Sequence, residues 1–204
     1  MEAIKKRVIE AAYEMYMQKG IMRVSTVELA QQVGITTKTL QEMFGHRNLL
    51  LQAVVQEFLE RVKTGVVARC KSGGNAVDKL AEVFIFILES LRKVNPSFLF
   101  ELKRRHRDYY QTMVDFGSNE LSKIAIKIIE EGVAEGLFRD GIPPECLSQA
   151  LLDRVVWLVE RPEGPGWDQK RDVRYALLIN GIRGITTLKG HEILDRKYKG
   201  LINE

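Results

Sequence analysis

Apolar positions recur with a helical period along most of the chain. Ile4, Val8, Ala11, Ala12 and Met15 share one face of a first helix. Gly20 stops that helix, and Lys19 in its last turn suits the negative end of the helix dipole. Ser25 or Thr26 can cap a second helix, with Glu28 in its first turn, running to Val33. Gly34 is a break, and Thr36 starts a third helix. From about Arg47, a long fourth pattern (Leu50, Val54, Phe58, Val62) continues toward Cys70, and Ser72-Gly73-Gly74-Asn75 closes it as a loop.

The remainder reads as helical too. Val77, Leu80, Ala81, Phe84, Leu88 and Leu91 form a stripe that ends before Asn95-Pro96. Residues 97–116 mix charge with aromatics. Gly117-Ser118 is expected to open a helix carrying Ile124, Ile128 and Ile129, which ends in the turn-rich segment from Gly136 to Pro144. A helix is predicted from Glu145 to about Glu160, a loop at residues 161–166, and a last long helix from Lys170 to Leu188 closed by Gly190. His191 to Ile202 can add a short one. No segment alternates as a half-buried strand does. The expected fold is all-α, with about nine helices.

Composition adds bounds. The chain has 204 residues, 45% hydrophobic and 28% charged, as in ordinary globular proteins. A net charge of +4 permits a nucleic-acid partner without demanding one. No apolar run approaches the ~18 residues of a membrane span, and charges interrupt the apolar pattern of the N-terminal stretch, unlike a secretory signal. Cys70 and Cys146 lie far apart, and no Cys/His cluster has metal-ligand spacing. Free thiols in a cytoplasmic protein are the expectation, with no metal and no cofactor. His46, His106 and His191 have no partners at catalytic spacing, and no phosphate-binding loop or hydrolase motif occurs, so the chain does not read as an enzyme.

One stretch carries specific information. A helix-turn-helix needs a small residue where the second helix crosses the first, a residue tolerant of positive φ at the turn, and an apolar plug in the second helix. In VELAQQVGITTKTLQEMF, residues 27–44, Ala30, Gly34 and Leu40 fill those roles, with Leu29, Val33 and Ile35 completing the core. With this motif in place, STVELAQQVGITTKTLQEMFGHRNLLLQAV resembles the N-terminal domain of the TetR family of transcriptional regulators. The resemblance rests on Thr26, Leu29-Ala30, Gly34, Thr36 to Leu40, Phe44, Arg47 and Leu49-Leu50, and covers about residues 4–58. A weaker echo is EEGVAEGLFRDGIPPE, residues 130–145. The chain departs from the family pattern at Gln41, where Tyr is usual, and at Arg47, where Lys is usual.

The resemblance implies a DNA-binding domain over residues 1–46 and a helical effector-binding and dimerisation domain over 47–204, joined by the long fourth helix. It implies a ligand-responsive regulator, usually a repressor, that binds a palindromic operator as a homodimer. Thr26, Thr36, Thr37, Lys38, Thr39, Gln41, His46 and Arg47 are the candidate DNA contacts. Lys38 can reach guanine or a phosphate, and Gln41 can donate to phosphate or pair with adenine. Thr26, Thr36 and Thr37 can equally serve as caps. The helices at residues 145–160 and 170–188 are apolar on more than one face, as a dimer interface or ordinary core would be, and close helix approach at such an interface would explain Gly181 and Gly184. Phe84, Phe98, Tyr109, Tyr110 and Met113 either line an effector pocket or fill the core. KRRHRDYY, residues 103–110, either receives an anion or is a solvated charged face. The rival reading is a helical ligand-binding or interaction protein with a degenerate DNA module.

Overall fold

The computed structural model describes residues 2–160 and 173–202. The expected loop at residues 161–166 and the expected helix start at Lys170 lie outside them. The described residues form α1 (Glu2–Lys19), α2 (Thr26–Val33), α3 (Thr37–Phe44), α4 (Arg47–Lys71), α5 (Ala76–Arg92), α6 (Pro96–Arg105), α7 (Arg107–Phe116), a π-helical turn (Gly117–Leu121), α8 (Ser122–Ala134), α9 (Pro144–Glu160), α10 (Val173–Arg183) and α11 (Leu188–Ile202). The all-α expectation holds. Two compact units divide the chain, one of residues 1–63 with 92–115, the other of residues 64–91 with 116–204. Helix α4 runs through the boundary.

In the first unit, α2 and α3 pack against each other and α2 against α1, over buried Ala12, Tyr16, Leu29, Ala30, Leu40 and Phe44. Gly34 makes the turn between α2 and α3 at φ +75°, a left-handed conformation that costs a β-carbon-bearing residue energy. Its N–H donates to the Gln31 carbonyl (3.1 Å) and the Ile35 N–H to that of Ala30 (3.0 Å), so the last turn of α2 is satisfied. Arg7 of α1 donates to the Val33 carbonyl at 3.2 Å, placing a cation at the same helix end.

The loop after α1 is held from a distance. Asn95, just before α6, donates from its backbone N–H to the Met17 carbonyl (2.7 Å) and from its amide to that of Gln18 (2.8 Å). Glu101 of α6 accepts the N–H groups of Ile21 (2.6 Å) and Met22 (3.0 Å) on one carboxylate oxygen. Backbone groups orphaned where a helix stops need partners, and here they come from residues some 80 positions away.

The second unit differs more from the expectations. Gly117-Ser118 does not open a helix. The chain passes from α7 through a π turn into α8 without a break, because Gly117 keeps helical backbone angles and needs no loop. The final helical pattern does not run to Leu188. Helix α10 ends at Arg183, and the following turn pairs with the α8–α9 connection: Arg139 N–H donates to the Ile185 carbonyl and Thr187 N–H to that of Leu137, each at 2.9 Å, around an isolated bridge between Phe138 and Thr186. Helix α11 then starts at Leu188, so Gly190 lies inside a helix rather than closing one. It lies there because a β-carbon would collide with the Leu137 carbonyl. Within the chain, the missing β-carbon of Gly181 makes room for the Arg154 side chain of α9. Gly184 lies beyond the end of α10, against only its own helix's carbonyls. Ser122 and Ser148, both buried, share a hydrogen bond at 3.0 Å between α8 and α9. Among the described residues no helix is long and apolar enough to cross a membrane, and no three His, Cys, Asp or Glu side chains gather to hold a metal ion.

Candidate nucleic-acid interface

The caps of α2 and α3 decide which hydroxyls are available. Ser25, not Thr26, caps α2, its Oγ accepting the Glu28 N–H at 3.0 Å. Thr26 becomes the first helical residue, with its side chain exposed. Thr36 caps α3 by accepting the Thr39 N–H at 3.0 Å, and the two threonine hydroxyls bond each other at 2.9 Å. Thr36 and Thr39 therefore have structural work, whereas Thr37 is exposed on the first turn. Helix α3 has eight residues and buries only Leu40 and Phe44. Its other face is left to solvent. Lys38 keeps 86% of its side chain exposed, and its ion pair with Glu42 is loose at 4.0 Å. That separation and exposure bring almost no stability.

Thr26, Thr37, Gln41, His46 and Arg47 line one open notch of about 310 Å³. Its floor is Tyr16, Leu29, Leu40, Phe44 and Leu50. The notch thus joins the first turn of α2, the outer face of α3 and the first turn of α4. Two helix N-termini open on it, each bringing unsatisfied N–H groups and a partial positive charge, an arrangement that suits phosphate. Five of the eight residues singled out from sequence meet here. Lys38 stands exposed on the same short helix, and Thr36 and Thr39 shape that helix's start.

Arg47 has a second role that its position in the sequence does not reveal. Its guanidinium donates to the carbonyls of Ile21 and Val24 (the latter at 2.6 Å) and lies 5.9 Å from the centre of the Tyr16 ring. Burial pushes the Tyr16 phenol up, and the Arg47 charge opposes that shift. Both bonds come from one terminal nitrogen, which leaves the other guanidinium N–H groups to a further acceptor. Arg47→Ala is expected to lower the stability of the protein by about 1.5–3 kcal/mol in the absence of any DNA, since it strips charged donors from two part-buried carbonyls. Urea unfolding checks this. A variant as stable as the parent would show that the clip is not needed to hold the loop.

The five candidate effector residues do not belong to one compact unit. Phe84 lies in the second, while Phe98, Tyr109, Tyr110 and Met113 lie in the first. Phe84 and Phe98 are fully buried. Tyr109, Tyr110 and Met113 lie on α7, where the Tyr109 hydroxyl donates to the Asn48 carbonyl at 3.0 Å. Sequence reasoning passed over Arg7 and Glu101 as contributors to this unit, and left the cap of α2 open between Ser25 and Thr26. A Ser before the first apolar-periodic residue was a readable cap, but the partners of Arg7 and Glu101 depend on tertiary contact.

No family model matches the chain. Over 192 residues it is 21% identical to the HTH-type transcriptional repressor KstR2 of Mycolicibacterium smegmatis, covering 91% of this chain and 92% of the relative. It is 25% identical to the uncharacterized HTH-type transcriptional regulator YvaF of Bacillus subtilis over 163 residues, 78% of this chain and 83% of that one. Among solved structures, a putative transcriptional regulator from Saccharomonospora viridis in complex with choline matches with a TM-score of 0.76 at 18% identity, covering 92% and 100% of the two chains. A TetR/AcrR-family regulator from Thermobifida fusca matches with a TM-score of 0.71 at 18% identity, covering 88% and 97%.

Proposed function

We propose that this chain, a DNA-binding transcriptional regulator of the TetR family and not an enzyme, represses transcription by placing α3 in the major groove of a palindromic operator. The observation that carries the reading is the gathering of Thr26, Thr37, Gln41, His46 and Arg47 around one notch, beside an exposed Lys38. Thr26, His46 and the free edge of Arg47 hold phosphates at the notch. Thr37, Lys38 and Gln41 face base edges, while Thr36 and Thr39 present their methyl groups. Gln41 takes the place of a phosphate-binding Tyr and is long enough to reach either phosphate or adenine. Residues 1–46 and the opening of α4 read the half-site, and residues 47–204 carry effector binding and dimerisation in the cytoplasm.

One half-site offers few base readers, so two copies are needed for useful discrimination. The homodimer forms through residues 145–160 and 170–188. Val156 and Trp157, 46% and 45% exposed on α9, support that choice, because a second copy would take this apolar surface out of water. A small-molecule effector acts as a population shift, by preferring the state in which the two recognition helices leave the ~34–36 Å spacing of successive major grooves. Tyr109, Tyr110 and Met113 are its first candidates in one unit and Phe84 in the other, while Phe98 is fully buried. A similar regulator that binds choline supports an effector of small size.

Lys38→Ala is expected to weaken operator binding by about 1–3 kcal/mol with stability unchanged. The operator is first selected from a random duplex pool, and the variant is then titrated by gel shift. Equal affinity for a folded variant would remove Lys38 from the interface. Light scattering at micromolar concentration should give twice the 23.3 kDa chain mass.

A further inference from the structure

We infer that the elbow between α6 and α7 is a second phosphate-binding surface, which grips duplex DNA flanking the half-site read by α3. The inference rests on the DNA-binding reading above and extends it to residues that reading does not use. At His106 the backbone leaves the helix (φ −133°, ψ 55°), so the stretch Arg104-Arg105-His106-Arg107 is displayed on a corner instead of along one helix. With Asn48, Asp108 and Tyr109 it lines an open notch of about 340 Å³.

The charge there is poorly compensated. Arg104 lies 5.9 Å from the centre of the exposed Phe100 ring, and neither Arg105 nor Arg107 is ion-paired among the described residues. Asp108 is the acidic side chain that lines the notch, whereas the Glu101 carboxylate, bound to the Ile21 and Met22 N–H groups, is outside its lining. Arg104 and Arg105 suit the C-terminus of α6, but Arg107 opens α7, where a cation opposes the helix dipole. An arrangement that costs folding energy without an anion calls for one from outside. Burial first, and then the charges of Arg47 and Arg105, hold the His106 imidazole below its usual range, against Glu101. The elbow and the opening of α4 are therefore within electrostatic reach of each other.

Geometry ties the elbow to the interface. The Tyr109 hydroxyl donates to the Asn48 carbonyl, two residues beyond His46. The exposed first turn of α4 thus contributes to both notches, Arg47 to the α2–α3 notch and Asn48 to the elbow. Each DNA strand carries one phosphate per ~3.4 Å of axis. A strand that passes His46 brings further phosphates toward Arg105 and Arg107. The notch is shallow and its arginines are exposed, which suits a polyanion lying along a surface better than an enclosed metabolite.

The test uses the full chain with Arg105→Gln and Arg107→Gln together, and the selected operator carried in a long duplex. Both side chains are exposed, so the variant should fold, and thermal unfolding verifies it. The slope of log K against log salt should become shallower by about 1.8 per protomer, at ~0.9 for each phosphate no longer neutralised. The preference for operator over scrambled duplex should stay unchanged. Trimming the flanking base pairs should reproduce the loss with the parent chain. The same change of charge on α8, Lys123→Gln with Lys127→Gln, should leave the slope alone. An unchanged slope in the arginine variant, while Lys38→Ala still weakens binding, overturns the elbow alone. So does a variant that loses only stabilisation by inorganic pyrophosphate, which would make the elbow a small-anion site. A parent chain with no salt-dependent affinity for any duplex overturns the regulator reading, and the elbow falls with it.

Discussion

Leu40→Ala is expected to cost the first unit about 2–5 kcal/mol and to abolish selective operator binding. Helix α3 is only eight residues long, and an isolated helix of that length is not stable in water. It exists because Leu40, 4% exposed, and Phe44 dock it on α1, α2 and α4. Truncating Leu40 leaves one anchor and a cavity. The capping bond from Thr36 then has little helix to start. The loss of DNA recognition should exceed the loss of fold, since base readout needs a fixed orientation whereas the rest of the unit keeps its own core. Urea unfolding followed by far-ultraviolet circular dichroism, with gel shifts on operator and scrambled duplex, separates the two effects. Leu40→Met, which keeps volume, should cost under ~1.5 kcal/mol and retain specificity. Full specificity in the alanine variant would mean that α3 is held by something other than its two apolar residues.

Gly190→Ala should destabilise the second unit by about 1–3 kcal/mol or more, despite the better helix propensity of alanine. In an unconstrained helix the change would gain ~1 kcal/mol. Here the new methyl group would fall well inside contact distance of the Leu137 carbonyl oxygen. That oxygen accepts the Thr187 N–H at 2.9 Å and the Thr187 hydroxyl at 3.3 Å, so it cannot retreat without breaking the bridge between the α8–α9 connection and the α10–α11 turn. Backbone gives way less readily than the end of a side chain. Gly181→Ala offers the contrast, since its methyl group would meet the flexible Arg154 side chain, which can swing aside. Thermal unfolding of both variants decides the matter, at ~2–4 °C per kcal/mol for a chain of this size. A Gly190→Ala protein that melts at or above the parent temperature would refute the close approach.

These two residues also show where the sequence was legible. The helix-turn-helix was readable because its signals are local. Ser25, Gly34, Thr36 and Leu40 each act within a few positions of themselves, and spacing alone exposes them. Gly190 looked like a helix stop by the same local logic, but it answers to Leu137, far away in sequence. The end of α10 at Arg183 was invisible for the same reason. Ile185 to Thr187 are apolar or β-branched enough to continue a helical pattern, and only their pairing with Leu137 to Arg139 removes them from it. At the candidate interface, residue type and register placed Thr26, Thr37, Gln41, His46 and Arg47 around one notch. The inward bonds of Arg47, and the Glu101 carboxylate that shares its loop, required knowledge of which elements meet.

The division of labour on α3 has a consequence for altering the protein. Its fold rests on two inward residues and a cap, so positions 37, 38 and 41 carry no obligation to stability. On the proposed DNA-binding reading they form an interchangeable reading head on a fixed mount. Libraries confined to these three positions are expected to retarget the protein to new DNA sequences while leaving its expression and its melting temperature as they are.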